Sequence, residues 1–188
     1  SERANEILAV AARLFFEKDY NSVGMRSIAS AAGVRGASLY HHFKSKEEML
    51  YRIVLEVTRD YIYDHLPVLD SPSPHASRLR ELVGQHVTYF WAHRYGMSVG
   101  LREMHNLTPD HFAEVQVHRL LYQRRIQEFV ADGVRVGEFT SDDPGLAGIA
   151  ILDMMNGIND WFKASGRLGI DEVAERYGQL VLRTVGAK

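Results

Sequence analysis

Apolar residues recur every three or four positions along most of the chain: Ile7, Leu8, Ala11, Leu14 and Phe15, then Leu50, Ile53, Val54, Val57 and Tyr61, then Leu79, Leu82, Val83, His86, Val87 and Phe90. That period lays each set along one face of an α-helix, and period-two runs bounded by turns, the mark of half-buried strands, are absent. The pattern predicts an all-α protein of about nine helices. One segment, "LAGIAILDMMNGINDWF", carries apolar groups nearly all round, including Ile149, Ile151, Leu152, Met154, Ile158, Trp161 and Phe162, so its helix is expected to be buried on several sides. The last helix, over "IDEVAERYGQLVLRTV", presents Val173, Tyr177, Leu180, Val181 and Thr184 on one face, and Gly148, Gly157 and Gly178 permit close approach.

Breaker residues mark the joints. Gly33 follows "IASAA" as a helix-ending glycine able to take the left-handed conformation. "LPVLDSPSPHA", with prolines at 67, 72 and 74, is the clearest linker. Thr108 before Pro109, and Asp143 before Pro144, each read as an N-cap followed by proline at the first helical position.

Composition narrows the function classes. With no cysteine in 188 residues, disulfides, thiolate catalysis and Cys-ligated zinc are excluded. "GLAGIAILDMMNGI" is interrupted by Asp153 and is shorter than the ~20 residues of a membrane span, and "SERANEILAV" does not read as a secretory signal. The expectation is a cytoplasmic protein with no membrane partner. A net charge of −2 argues against a chain that coats nucleic acid along its whole surface. The charge is uneven, however. From Met25 through Lys46 the charged residues are Arg26, Arg35, Lys44 and Lys46, with no Asp or Glu among them.

That basic stretch has a regular internal layout. "GMRSIASAAGVRGASLYHHF" reads as two helices joined by a tight turn: Ile28, Ala29 and Ala32 face inward from the first, Val34 plugs the corner, and Leu39 and Phe43 face inward from the second. The second helix leaves Arg35, Gly36, Ser38, His41 and His42 on its free face, with Tyr40 alongside. Gly36 and Ala37 let the backbone come close to base edges, Ser38 can donate or accept, and the Arg35 fork suits guanine or phosphate. Tyr40, His42 and Lys46 have the reach and the donors for phosphate. Ser45 is an N-cap with Glu48 three residues on, so free backbone N–H groups beside Lys46 add an anion site. Spacing alone is equally compatible with a purely structural helix pair; the run of residue identities favours DNA.

"MRSIASAAGVRGASLYHHFKSKEEML" resembles the N-terminal domain of TetR-family transcriptional repressors, in which an "R-x-I-A-x-x-A-G-V" helix leads into an "L-Y-x-H-F-x-x-K" recognition helix. "ANEILAVAARLFFEKDYNSVGM" is similar to that family's first helix. The resemblance implies DNA contacts at Arg26, Gly36, Ala37, Ser38, Tyr40, His42 and Lys46; Arg35 and His41 join them from the layout of the helix. Two positions depart from the pattern: Gly24 replaces a Thr or Ser cap, which costs little, and Arg35 replaces a short hydroxyl, which alters base preference. The resemblance further implies a homodimer joined through its last two helices, a palindromic double-stranded operator, and release of the DNA by a small-molecule effector. The division expected is a helix-turn-helix domain over residues 1–47, a connecting helix over 48–65, and a ligand-binding and dimerisation domain over 66–188.

For the effector, the candidates are His86, Tyr89, Phe90, His93, Arg102, Asn106, Tyr122, Asn156 and Trp161, a mixture of large apolar groups with a few polar ones to fix orientation. "LREMHNLTPD" and "WFKASGRLGIDEVAERYGQLVL" look similar to regulators of fatty-acid, sterol or aromatic catabolism, some of which sense acyl-CoA thioesters, which implies a largely apolar ligand with a polar end. One motif points elsewhere: "GMSVG" at 96–100 satisfies G-x-S-x-G, which would make Ser98 an esterase nucleophile if a strand preceded it and a helix followed. The helical pattern around it argues against that reading, and no catalytic residue is expected. No H-E-x-x-H and no phosphate-cradling loop occurs, so neither a metal nor a cofactor is expected.

Overall fold

The computed structural model describes residues 2–188. Its α-helical segments are α1 (Glu2–Lys18), α2 (Met25–Ala31), α3 (Gly36–His42), α4 (Lys46–His65), α5 (His75–Ala92), α6 (Arg94–Arg102), α7 (Pro109–Arg135), α8 (Pro144–Asn156), α9 (Ile158–Trp161) and α10 (Ile170–Thr184). Because α9 is a single turn, nine helices of seven residues or more remain, and there is no strand among the described residues, so the fold is all-α as the periodicity predicts. Short 3₁₀ turns occupy Leu66–Asp70 and Met104–Asn106.

The helices sort into two compact units, one formed by Ser1–Arg59 with His93–Val117 and the other by Asp60–Ala92 with His118–Lys188. Helices α4 and α7 supply residues to both. In the first unit, α1 buries Ala4, Ile7, Leu8, Ala11, Ala12 and Phe15, the stripe its periodicity marks out. Asp19 ends α1 at φ 62°, a left-handed position that Asp tolerates better than most residues. Ile28, Ala29, Leu39 and Phe43 are buried beneath α2 and α3, with Val34 half-buried between the helices. Gly33 sits at φ +64°. There the amide of Gly33 bonds Ser30 O at 3.2 Å and that of Val34 bonds Ala29 O at 2.9 Å, the paired closure of a left-handed helix end. Arg3 adds a bond from its guanidinium to Ala32 O at 3.0 Å.

In the second unit, α5 packs mainly against α10. Leu79, Leu82, Val83 and Val87 from α5 meet Ile126 and Val130 from α7, Ile151 and Met155 from α8, and Val173 and Val181 from α10 in one core. Gly148 lets α8 approach α7: a Cβ there would stand 2.7 Å from Gln127 Cγ and 3.0 Å from its Cα. Both proline starts are capped as their spacing predicts. Thr108 Oγ1 accepts from the His111 amide at 3.4 Å, and Asp143 Oδ1 accepts from the Leu146 amide at 2.9 Å.

Candidate DNA-reading surface and buried polar cluster

The first unit fixes α3 by its apolar side and leaves its polar side open. Leu39 is fully buried whereas its neighbour Tyr40 is 59 % exposed. Arg26, Arg35, Gly36, Ala37 and His41 are exposed as well, and Ser38 and His42 are half-buried. Arg26, Arg35, Ser38, Tyr40 and His41 form no side-chain hydrogen bond or ion pair with the described residues, so their donors face outward uncommitted. Arg35 is the N-cap of α3 with extended backbone and no capping bond from its side chain, which leaves the guanidinium clear of its own helix. Nothing lies within 4 Å of a Cβ built on Gly36, so packing within the chain does not require the glycine.

Lys46 is placed differently from the other basic residues. Its Nζ donates to Tyr20 O at 2.8 Å and lies 4.0 Å above the Tyr20 ring. Desolvation lowers its pKa, opposed by the charge of Glu103. Beside it, Ser45 Oγ accepts from the Glu48 amide at 3.0 Å while Glu48 Oε2 accepts from the Lys44 amide at 2.7 Å. This capping box consumes two of the donors expected to bind an anion, and Glu47 and Glu48 set two carboxylates in the first turn of α4. Glu47 itself turns to the Thr108 amide at 2.9 Å and to His111 Nδ1 at 2.8 Å. The start of α4 is therefore a structural joint more than an anion site.

A second constellation lies in the other unit. Tyr61, His86 and Tyr122, from α4, α5 and α7, are all buried. The Tyr61 and Tyr122 hydroxyls are 2.8 Å apart, and the Tyr122 hydroxyl is 3.2 Å from His86 Nδ1. His65 Nδ1 lies 2.8 Å from Tyr61 O, its ring stacked on Tyr61 with centroids 4.6 Å apart. Tyr89 packs against both Tyr61 and His65, and Phe90 stacks near His86. Burial lowers the His86 pKa to about 4, partly offset by the Asn156 side chain beside it and reinforced by His65. His86 is thus neutral at physiological pH. Burial likewise raises the pKa values of Tyr61 and Tyr122, so both phenols keep their protons. The His86 Nε2 atom is buried with no hydrogen-bond partner.

Of the effector candidates, the structure brings together His86, Tyr89, Phe90, Tyr122 and Asn156. Tyr61 and His65 complete the group and were not among them. Tyr61 reads in sequence as one more apolar-stripe position, yet a tyrosine on such a stripe brings a hydroxyl that must be satisfied inside. His93, Arg102 and Asn106 belong to the first unit. There Arg102 lies over the Phe16 ring at 5.5 Å and Asn106 donates to Glu103 Oε2 at 2.8 Å. Trp161 is 44 % exposed and donates from Nε1 to the Tyr177 hydroxyl at 3.1 Å.

The remaining motifs find structural employment. Ser98 is buried inside α6, and without a strand among the described residues it lacks the strand-to-helix turn of a nucleophile elbow. Gly96 is small because a Cβ there would stand 2.7 Å from Val57 Cγ1. No group of three or more potential metal-ligating side chains clusters among the described residues. None of the described helices is long and apolar enough to cross a membrane.

Comparison with known proteins accounts for both halves. Residues 72–185 match the tetracyclin repressor-like C-terminal domain family, and residues 7–53 match the family of bacterial regulatory proteins described as the tetR family. The HTH-type transcriptional repressor KstR2 of Mycolicibacterium smegmatis is 31% identical over 97% of this chain and 90% of its own length. Among solved structures, a regulatory protein of the tetR family from Rhodococcus RHA1 is similar with a TM-score of 0.92 at 29% identity, over 100% of this chain and 99% of the other. AibR, solved in complex with isovaleryl coenzyme A and operator DNA, is similar with a TM-score of 0.86 at 25% identity, over 99% of this chain and 100% of the other. A helix-turn-helix with an open basic face, followed by this C-terminal bundle, places the chain in the TetR family of bacterial transcriptional regulators.

Proposed function

We propose that the chain is a sequence-specific repressor that binds a palindromic operator as a homodimer and leaves it when a small, largely apolar effector binds, an acyl-CoA or another lipid or aromatic catabolite. The observation that carries this reading is the α3 face: Arg35, Ser38, Tyr40 and His41, uncommitted among the described residues, stand on a helix pinned from behind by Leu39 and Phe43. A helix fixed from behind, with free donors and no acid from Met25 through Lys46, is what a duplex groove requires. Arg26, Gly36, Ala37 and His42 extend the surface, with Lys46 contributing any hydrogens that Tyr20 leaves free. Arg35 sets base preference and the other donors hold phosphate.

Homodimerisation is supported by Leu146 and Ile149 of α8 and Leu180 of α10, which are 62 %, 38 % and 44 % exposed, an apolar outer side on helices whose inner sides already fill a core. A two-fold pair presents two α3 helices to half-sites about one turn of DNA apart or a multiple of it. The effector reading draws on the isovaleryl coenzyme A complex of AibR and on the polar cluster of the second unit. Helix α4 begins at Lys46, tied to Tyr20, and ends at Tyr61 and His65 within that cluster. A ligand that prefers one setting of this helix changes the spacing of the two readers, and ligand and operator then weaken each other by the same factor.

Selection of bound duplexes from random DNA tests the proposal. The expected result is an inverted repeat retained at physiological salt. Weak binding that salt abolishes equally on all sequences would overturn specific regulation.

A further inference from the structure

We propose that Tyr61, Tyr122 and His86 form a hydrogen-bond relay that recognises a neutral carbonyl oxygen of the effector through His86 Nε2–H. This rests on the effector reading above and narrows it to one chemistry. A backbone carbonyl only accepts, so the 2.8 Å contact from His65 to Tyr61 O puts a proton on His65 Nδ1. The neutral His86 ring carries one proton, and each phenol one more.

Two arrangements satisfy the 2.8 Å and 3.2 Å contacts. In the first, the Tyr61 hydroxyl donates to Tyr122, the Tyr122 hydroxyl donates to His86 Nδ1, and the His86 proton sits on Nε2. In the second every bond is reversed: His86 Nδ1–H donates to Tyr122, Tyr122 donates to Tyr61, and the Tyr61 proton needs another acceptor. Tyr61 is 3 % exposed, and among the described residues its hydroxyl hydrogen-bonds Tyr122 alone. The second arrangement therefore strands a buried Tyr61 proton as well as the Nε2 lone pair. The first strands one group, the Nε2–H donor, where the second strands a donor and an acceptor, and it is preferred because each unmet buried polar group costs free energy.

That leftover donor is fully buried without a hydrogen-bond partner among the described residues, and the Asn156 side chain lies beside the ring. It has no cation next to it in the relay, and His86 resists protonation, so the site does not favour a carboxylate. A ketone, ester or thioester oxygen meets the donor without adding charge. Because Tyr61 is on α4, the relay also joins ligand occupancy to the helix that leads back to the DNA reader.

The test uses the full chain and two readouts. Nitrogen-15 spectra of the ligand-free protein at pH 7 should show His86 neutral with its proton on Nε2. Calorimetry then compares thioesters of coenzyme A, from isovaleryl to decanoyl, with their S-alkyl thioethers, in which the carbonyl is a methylene. The thioester should bind about 10- to 100-fold more tightly within a pair. His86→Phe, which keeps the ring in its stack, should abolish that preference while still binding the thioethers. Tyr122→Phe should reduce it and let the His86 proton move to Nδ1. Equal affinity within pairs, or a proton on Nδ1 in the wild type, overturns the relay and leaves the effector reading standing. Failure of every thioester to bind removes the acyl-CoA form of that reading, and this one with it.

Discussion

Leu39 and Tyr40 are adjacent on α3 and should fail in opposite ways when truncated. Leu39 is fully buried beneath the helix pair, so Leu39→Ala removes three carbons from a closed core. At about 0.8 kcal/mol per carbon the transfer loss is about 2.4 kcal/mol, and the cavity left behind carries the total toward about 3–4 kcal/mol. Tyr40 is 59 % exposed with no hydrogen-bond partner among the described residues, so Tyr40→Ala should change stability by no more than about 0.5 kcal/mol. Its cost should appear on DNA instead. Loss of one phosphate contact per subunit, at about 1.4 kcal/mol each, amounts to about 100-fold for a dimer. Hydrogen exchange of the α2 and α3 amides in the full chain reads the first effect, and fluorescence anisotropy on a selected duplex reads the second. Tyr40→Ala destabilising the amides as much as Leu39→Ala, or leaving DNA affinity unchanged, would rule out an outward role for Tyr40.

Other outcomes follow from single contacts. Gly33→Ala should cost about 1–2 kcal/mol, because φ +64° crowds a Cβ against the next carbonyl, and thermal unfolding measures it. Ser45→Ala should cost about 1 kcal/mol by removing the cap on the Glu48 amide, read by urea unfolding. Acid should loosen the start of α5, where buried His75 meets Glu138 at 2.9 Å and Asp132 at 3.0 Å. Hydrogen bonding lowers both carboxyl pKa values, chiefly from Arg135 then His75 for Asp132 and from His75 for Glu138. Groups depressed on folding stabilise above the unfolded carboxylate range and lose that contribution as pH falls below about 5. Glu138→Gln should therefore flatten the acid limb of a stability curve relative to wild type.

What was legible in the sequence was local. The Gly33 turn, the Thr108 and Asp143 caps and the inward Leu39 and Phe43 each depend on neighbours within one or two turns, and all are present. His86 stood out because a histidine interrupts an apolar stripe. Tyr61 did not, since a tyrosine fits such a stripe until its hydroxyl is seen to face Tyr122, 61 positions away. Long-range packing was equally hidden. The segment from His93 to Val117 joins the unit of α1, so the effector candidates His93, Arg102 and Asn106 fall in a different unit from His86 and Tyr122. Lys46 read as a free cation, but its ammonium rests on a carbonyl 26 residues earlier. No periodicity reveals such a partner.

The claim on which the account rests is that α3 enters the major groove of DNA, twice, in a symmetric pair. Dimethyl sulfate footprinting on the selected duplex tests it directly, because the reagent reports guanine N7 on the major-groove edge. Two protected clusters related by a two-fold axis are expected, about one helical turn or a multiple apart, with protection weakened at one base position per half-site by Arg35→Ala. Uniform reactivity across a bound duplex, or protection on one side only, would contradict it.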